Sequence, residues 1–175
     1  MEVQDLSKDI ILAKKAAKLS GKFLKDKKEE INKILNSGSK DTKLKADIES
    51  ENLIKSIIAS ESTYPILGEE SGKSSDDLGN VFWVIDPLDG TANYNRDIPI
   101  CCVSIGLVMD MKPILGVIYD FNSDDIFSGD KFTNTSKMND MSISVSKKSK
   151  KKESILITGL PHNTDFSDAS LKNMI

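Results

Sequence analysis

Hydrophobic positions recur at helical spacing from Leu6 through Ile10, Ala13, Ala17, Leu24 and Ile31 to Leu35, which predicts an amphipathic helix with a bend at Ser20-Gly21. Asn36-Ser37-Gly38-Ser39 ends it and opens a polar loop. A second helix is predicted from Asp47 to Ser60 on the pattern Ile48, Leu53, Ile54, Ile57 and Ile58. The period then shortens. Ile66-Leu67-Gly68 reads as a short strand, and Val81-Phe82-Trp83-Val84-Ile85 as a continuous apolar run of the kind buried on both faces. Strands are also predicted over 100–109, 113–119, 125–127, 142–145 and 154–158, with Met111-Lys112-Pro113 as a tight connection and 73–77 as an exposed loop. Two helices followed by a run of strands predict one layered α/β (α+β) domain over 1–175, its two N-terminal helices packed on a large, mostly antiparallel sheet.

The chemistry concentrates where the apolar run stops. Asp86-Pro87-Leu88-Asp89-Gly90-Thr91 places two carboxylates three positions apart at a strand's carboxyl end, with Gly68-Glu69-Glu70-Ser71 upstream. Pro87 keeps Asp86 out of the helical region, so the chain leaves the strand extended and then turns, bringing Asp89 round to the same mouth. Gly90 permits a tight turn and a close approach of backbone N–H groups to an anion, and Thr91 adds a hydroxyl. Gathered carboxylates are costly without a cation. Oxygen donors without Cys or His point to Mg²⁺ rather than zinc, and carboxylates facing amides make a place for a metal-bridged phosphate. Acids around Pro-x-x-Gly also occur in ordinary turns, where they cap backbone groups. Asp47, at the head of the second helix, is open to an N-terminal capping role.

Composition narrows the field. A net charge of −3 with acids and bases interspersed gives no electrostatic case for nucleic acid. The one basic run, Lys147, Lys148, Lys150, Lys151 and Lys152, reads as a solvated loop. Adjacent Cys101 and Cys102 point to opposite faces of a strand and read as small buried thiols in a reducing compartment. A single histidine, His162, removes most Ser-His-Asp and Cys-His schemes and reads as structural or exposed. No segment is apolar enough to span a membrane, and Glu2 and Asp5 close behind Met1 do not fit a secretion signal, so a cytoplasmic protein is expected.

Gly68-Glu69-Glu70-Ser71 followed by Trp83-Val84-Ile85-Asp86-Pro87-Leu88-Asp89-Gly90-Thr91-Ala92-Asn93-Tyr94 resembles the inositol monophosphatase family of Mg²⁺-dependent, lithium-sensitive phosphatases. The likeness extends through Lys45-Ala46-Asp47, Ile98-Pro99, Val103-Ser104-Ile105-Gly106 and Gly116-Val117-Ile118-Tyr119-Asp120. It weakens over 132–140, where the family's glycine-rich segment is replaced, and returns at Val145-Ser146 and Thr158-Gly159-Leu160-Pro161. The resemblance implies that Glu69, Asp86 and the Leu88 carbonyl hold a first Mg²⁺, and Asp86 with Asp89 a second, one to three ions in all. It implies that Asp47 and Thr91 form a proton-accepting pair that activates water together with the first Mg²⁺, and that Leu88, Asp89, Gly90 and Thr91 bind substrate phosphate. Glu70 is either one step removed from the ion or a surface residue. The family's further aspartate, in a Trp-Asp motif of the carboxyl-terminal region, has no counterpart in these residues. A chain that lacks this second half-domain is expected to leave apolar surface uncovered near the last strand and the metal mouth, which invites self-association.

By that resemblance the expected activity is a Mg²⁺-dependent, Li⁺-inhibited phosphomonoesterase of inositol phosphate metabolism, acting on inositol monophosphate or another small polyol or sugar phosphate. Thr91-Ala92-Asn93-Tyr94 resembles that branch's Gly-Thr-Thr-Asn-Phe more than the Gly-Thr-Lys-Glu-Phe of nucleotide phosphatases. A 3′(2′),5′-bisphosphate nucleotidase, a histidinol-phosphatase and a non-catalytic metal- or phosphate-binding relic or subunit are the alternatives. A homodimer, common in the family, is the partner implied.

Overall fold

The computed structural model describes residues 5–37, 42–153 and 155. The chain divides into two compact units, Met1–Ser144 and Val145–Ile175. In the first unit, α1 (Ser7–Asp26) is followed by the single turn α2 (Lys28–Ile31), the short pair β1 (Ile34–Ser37) and β2 (Thr42–Leu44), and α3 (Lys45–Glu61). Next come β3 (Ile66–Gly68), β4 (Gly72–Lys73), β5 (Val81–Asp89), the single-turn α4 (Thr91–Asn95), β6 (Cys102–Met109), β7 (Lys112–Asp120), β8 (Asp125–Asp130), β9 (Thr135–Met138) and β10 (Met141–Ser142). In the second unit residues 145–150, 152, 153 and 155 are exposed, and Lys151–Glu153 form one 3₁₀ turn.

Helices α1 and α3 lie against an eight-stranded sheet ordered β10-β9-β8-β7-β6-β5-β3-β4. Every neighbouring pair is antiparallel except β3 with β5, which run parallel with Ile66 beside Trp83 and Gly68 beside Ile85. Alternation fixes which face is covered. Val103, Ile105, Leu107, Leu115, Val117, Tyr119 and Ile126 are buried with Ala13, Ala16, Ala17, Leu24, Ile54 and Ile58 of the helices. From the other face Ile118 is 45% exposed, and beyond β10 Ile143 is 42% exposed.

The structure departs from the sequence expectations in three places. The first helix does not run to Leu35: it ends at Asp26, and Ile34 to Ser37 pairs antiparallel with Thr42 to Leu44 instead. The helix is continuous through Ser20-Gly21. A Cβ on Gly21 would stand 2.6 Å from Tyr119 Cε1 and 2.8 Å from Phe121 Cβ, so the glycine lets the helix approach the sheet. The β6–β7 connection is Asp110-Met111, both left-handed (φ 50° and 59°), while Lys112 and Pro113 already belong to β7. Of the expected 142–145 strand only Ser142 lies in a strand, β10, which pairs with β9 over Thr135–Met138, where no strand is expected. The expected strand over 154–158, the segment Thr158 to Pro161 and His162 lie outside the described residues, save Ile155, which is in no element.

Candidate active site

Strand β5 runs on past Ile85 to Asp89. Residues three apart on a regular strand face opposite ways. Here Asp86 sits opposite Ser104 and Asp89 opposite Cys102, three steps on one strand against two on the other. This bulge returns both carboxylates to one side of the sheet. Pro87, which has no N–H to lose from the ladder, occupies it. The Leu88 N–H donates to Asp86 Oδ1 at 3.1 Å and fixes the bend. Gly90 then turns the chain into α4 at φ 94°, and a Cβ there would meet the Ile100 carbonyl oxygen at 2.6 Å. Conformation and space both require glycine. The first amides of α4 have no acceptor within the helix, and no side chain caps it.

Helix α3 carries the other half of the site. Asp47, 2% exposed, accepts the Leu44 N–H on Oδ2 at 2.8 Å and the Thr91 hydroxyl on Oδ1 at 2.8 Å. The capping role and the pairing with Thr91 therefore coexist, one oxygen each. Thr91 Oγ1 also lies 3.1 Å from the Leu88 carbonyl oxygen. One turn on, Ser50 donates to the Pro87 carbonyl at 2.9 Å and takes a 2.5 Å hydrogen bond from Ser20 of α1. Glu51, 1% exposed, accepts the Glu70 N–H at 2.8 Å and the Ser71 N–H at 3.1 Å. Asp47, Ser50 and Glu51 continue the buried stripe that Ile54 and Ile58 form, and each holds a different segment of the site. Ser50 and Glu51 escape a sequence reading that follows apolar positions alone. Their signal is polar side chains at i+3 and i+4 on the stripe that later turns bury.

The acids of this region are held away from their ordinary behaviour. Burial, then the charge of Asp86 and a hydrogen bond with it, pushes the Glu69 carboxyl up to about 7. Asp86 is also raised, by burial against the relief of its bond with Glu69 and then by the charge of Asp89. Asp86 is part-buried, while Glu69 is the more exposed of the two. Asp47 is raised by burial, partly offset by the Thr91 and Leu44 bonds, with the charge of Glu70 adding to the effect. Glu70 is part-buried and its charge reaches Asp47, Glu69 and Asp86, so it belongs with the site rather than the surface. Asp89 is exposed, its Oδ2 lying 3.9 Å from Cys102 Sγ, and burial followed by the Asp89 charge pushes that thiol up to about 12.

Among the described residues no three His, Cys, Asp or Glu side chains close into a metal-binding group. The structure draws together Glu69 with Asp86 and Asp47 with Thr91, while Asp89 stands apart as a nearby charge. The donor set nonetheless fits a hard dication. It consists of oxygen alone and carries excess negative charge, with the part-buried Asp86 beside the exposed Glu69 and both carboxyls raised above their ordinary range.

The family model described as the inositol monophosphatase family matches residues 5–174. The fructose-1,6-bisphosphatase/inositol-1-monophosphatase of Aquifex aeolicus is 37% identical over 133 residues, 74% of this chain and 50% of that protein. Among solved structures, inositol monophosphatase from Anabaena (Nostoc) superimposes with a TM-score of 0.68 at 34% identity, covering 83% of this chain and 52% of that one. The extragenic suppressor protein suhB of Bartonella henselae does so at 0.72 and 27% identity, covering 81% and 55%. The chain spans half or less of the length of the curated relatives it matches. Fold and sequence likeness agree, and the chain belongs to the inositol monophosphatase family.

Proposed function

We propose that this chain carries the water-activating and metal-holding part of a Mg²⁺-dependent phosphomonoesterase whose substrate is a small polyol or sugar phosphate. The observation that carries the proposal is the 2.8 Å bond from the Thr91 hydroxyl to Asp47, set beside Glu69 and Asp86, whose carboxyls are both raised above their ordinary range. Glu69, Asp86, the Leu88 carbonyl and Asp89 would hold Mg²⁺, which when bound supplies neutralising charge for the phosphoryl oxygens and the leaving alkoxide.

The remaining roles fall to the chain itself. A water placed against Thr91 Oγ1 gives up a proton as it attacks phosphorus, and the threonine's own proton passes to Asp47 Oδ1. The P–O bond to the alcohol breaks and the alkoxide takes a proton from solvent. Because burial raises Asp47, it is a stronger proton acceptor than a solvated aspartate. The free amides at the start of α4, beginning at Thr91, orient the phosphate. The name of the Aquifex relative pairs a sugar bisphosphate with an inositol phosphate, so both belong in the test.

Phosphate release from inositol 1-phosphate and from fructose 1,6-bisphosphate is to be measured with and without Mg²⁺, beside Asp89→Asn. Release from either substrate that requires both Mg²⁺ and Asp89 is the expected result. No release from folded protein on either substrate, or release indifferent to Mg²⁺, overturns the proposal.

A further inference from the structure

Glu51 is a carboxylate buried to 1% exposure on a helix whose neighbouring stripe positions, Ile54 and Ile58, are apolar core. Packing alone has no use for a charge there, and a hydrophobic side chain would serve as well or better. Its partners explain it. Strands β3 and β4 pair Gly68 with Gly72, so Glu69, Glu70 and Ser71 form the three-residue connection between them. The two Glu51 oxygens each accept one N–H of that connection, from Glu70 at 2.8 Å and Ser71 at 3.1 Å. Lys55, one turn along α3, donates to the Ser71 hydroxyl at 2.9 Å and lies 3.9 Å from Glu51.

Gly68 fits the same design. A Cβ on it would stand 2.5 Å from Glu51 Cδ and Oε2 and 2.6 Å from Oε1, and these are the three nearest atoms it would meet. The glycine therefore leaves space for one carboxylate and nothing else. Helix α3 is already tied to the sheet by Ile54, Ile58 and the Ser50 bond to Pro87. The Glu51 bonds add a fixed height and angle for the turn that carries Glu69.

We propose that Glu51 is a positioning residue: by gripping the Glu70 and Ser71 amides it sets Glu69 against Asp86, so metal affinity at this site is governed from the interior of helix α3. The inference rests on the metal-holding role given to Glu69 and Asp86 above. Residues that orient ligands without touching the ion typically change metal affinity by roughly 10- to 100-fold when altered.

Four variants of the 175-residue protein test it: Glu51→Gln, Glu51→Ala, Gly68→Ala and the double variant Glu51→Ala/Gly68→Ala. Mg²⁺ binding is read by calorimetry and exchange of the Glu70 and Ser71 amides by NMR. Where turnover is measurable, its Mg²⁺ dependence is followed too. Glu51→Gln keeps the shape but turns an N–H₂ toward one of the two amides. It is expected to weaken Mg²⁺ by about tenfold or more, to speed exchange at those two amides, and to leave turnover at saturating Mg²⁺ within a few-fold of wild type.

Gly68→Ala is expected to copy this phenotype by displacing the carboxylate, and to add nothing once Glu51 is alanine. Folded Glu51→Gln with wild-type Mg²⁺ affinity overturns the inference and leaves the metal reading standing. Additive losses in the double variant overturn it as well. A wild type that binds no Mg²⁺ removes the metal reading and, with it, the inference, even if exchange still finds the two amides gripped.

Discussion

Aspartates fill two regions of this protein and behave in opposite ways. Along the far half of the sheet they sit in hairpin connections: Asp120 accepts the Asn122 and Ser123 N–H groups, Asp130 those of Phe132 and Thr133, and Asp140 pairs with Lys14 at 2.8 Å. For Asp120 and Asp130 burial opposes the charge but the donors outweigh it, and all three carboxyls are held below the usual range. At the end of β5, the β3–β4 connection and the head of α3, Asp86, Glu69 and Asp47 are raised, burial being the first cause in each. A turn aspartate is finished by its own loop. At the site, burial and neighbouring carboxylates push three acids upward, and a cation is what would complete them.

Substitutions in the two regions should therefore diverge, most strongly at the proton-accepting pair. Asp47→Asn keeps the size and an acceptor for Thr91 but removes the base, and turnover is expected to fall by roughly 10²–10⁴-fold with substrate binding changed far less. Thr91→Ala should lower turnover more than binding in the same assay. Wild-type turnover in either variant breaks the pairing of Asp47 and Thr91 as a catalytic unit.

At Asp86 function and stability should part company. Asp86→Asn removes the carboxyl whose charge raises Glu69. It is expected to abolish Mg²⁺ binding in a calorimetric titration and yet raise the metal-free melting temperature near pH 8 by roughly 2–4 °C, the shift that about 1 kcal/mol gives at this length. A lower melting temperature would mean that the bond with Glu69 outweighs the repulsion.

The pH dependence of the metal-free protein follows from the same signs. Glu69, Asp86 and Asp47 have folded values above their unfolded ones, so their contribution is complete below the ordinary carboxylate range and is lost as pH rises through the folded values, to about 7 for Glu69. The hairpin aspartates have depressed values, and their contribution is lost only as pH falls below about 3.8. Melting temperature without metal is expected to decline between about pH 5 and pH 8, and Mg²⁺ should restore more of it at the upper end. A flat profile would place no net repulsion at the site. The smallest effect belongs to the finished region: Asp130→Ala should cost about 1 kcal/mol by denaturant titration and leave Mg²⁺ affinity unchanged.

Much of this division was legible in the residues. The run 81–85 marks the buried strand because its length and β-branched content leave little else for it to be, and the Asp-Pro-x-Asp-Gly-Thr segment marks the turn at its end. The bulge was only half visible: Pro87 suggested a departure from the ladder, but the step that returns Asp89 to the side of Asp86 depends on which β6 residues lie opposite. Ile31 and Leu35 keep the helical period beyond the true end of α1, while the pairing of Ile34–Ser37 with Thr42–Leu44 is decided by contacts from another part of the chain. Glu51 and Ser50 were hidden for a different reason. Polar residues on a helix are assigned to solvent by default, and only tertiary structure shows them turned inward.

The two serines beneath the bulge carry a final consequence. The Pro87 carbonyl can only accept, so Ser50 must give it its proton and Ser20 must give its own to Ser50. The relay has one sense. Alanine at position 20 takes a donor away from a hydroxyl that keeps its other partner, whereas alanine at position 50 strands a buried hydroxyl on one side and a buried carbonyl on the other. Helix α1 is thus a listener at this junction and α3 its speaker: drift can erase the outer serine cheaply, while the inner one is locked to the shape of the strand that presents the acids.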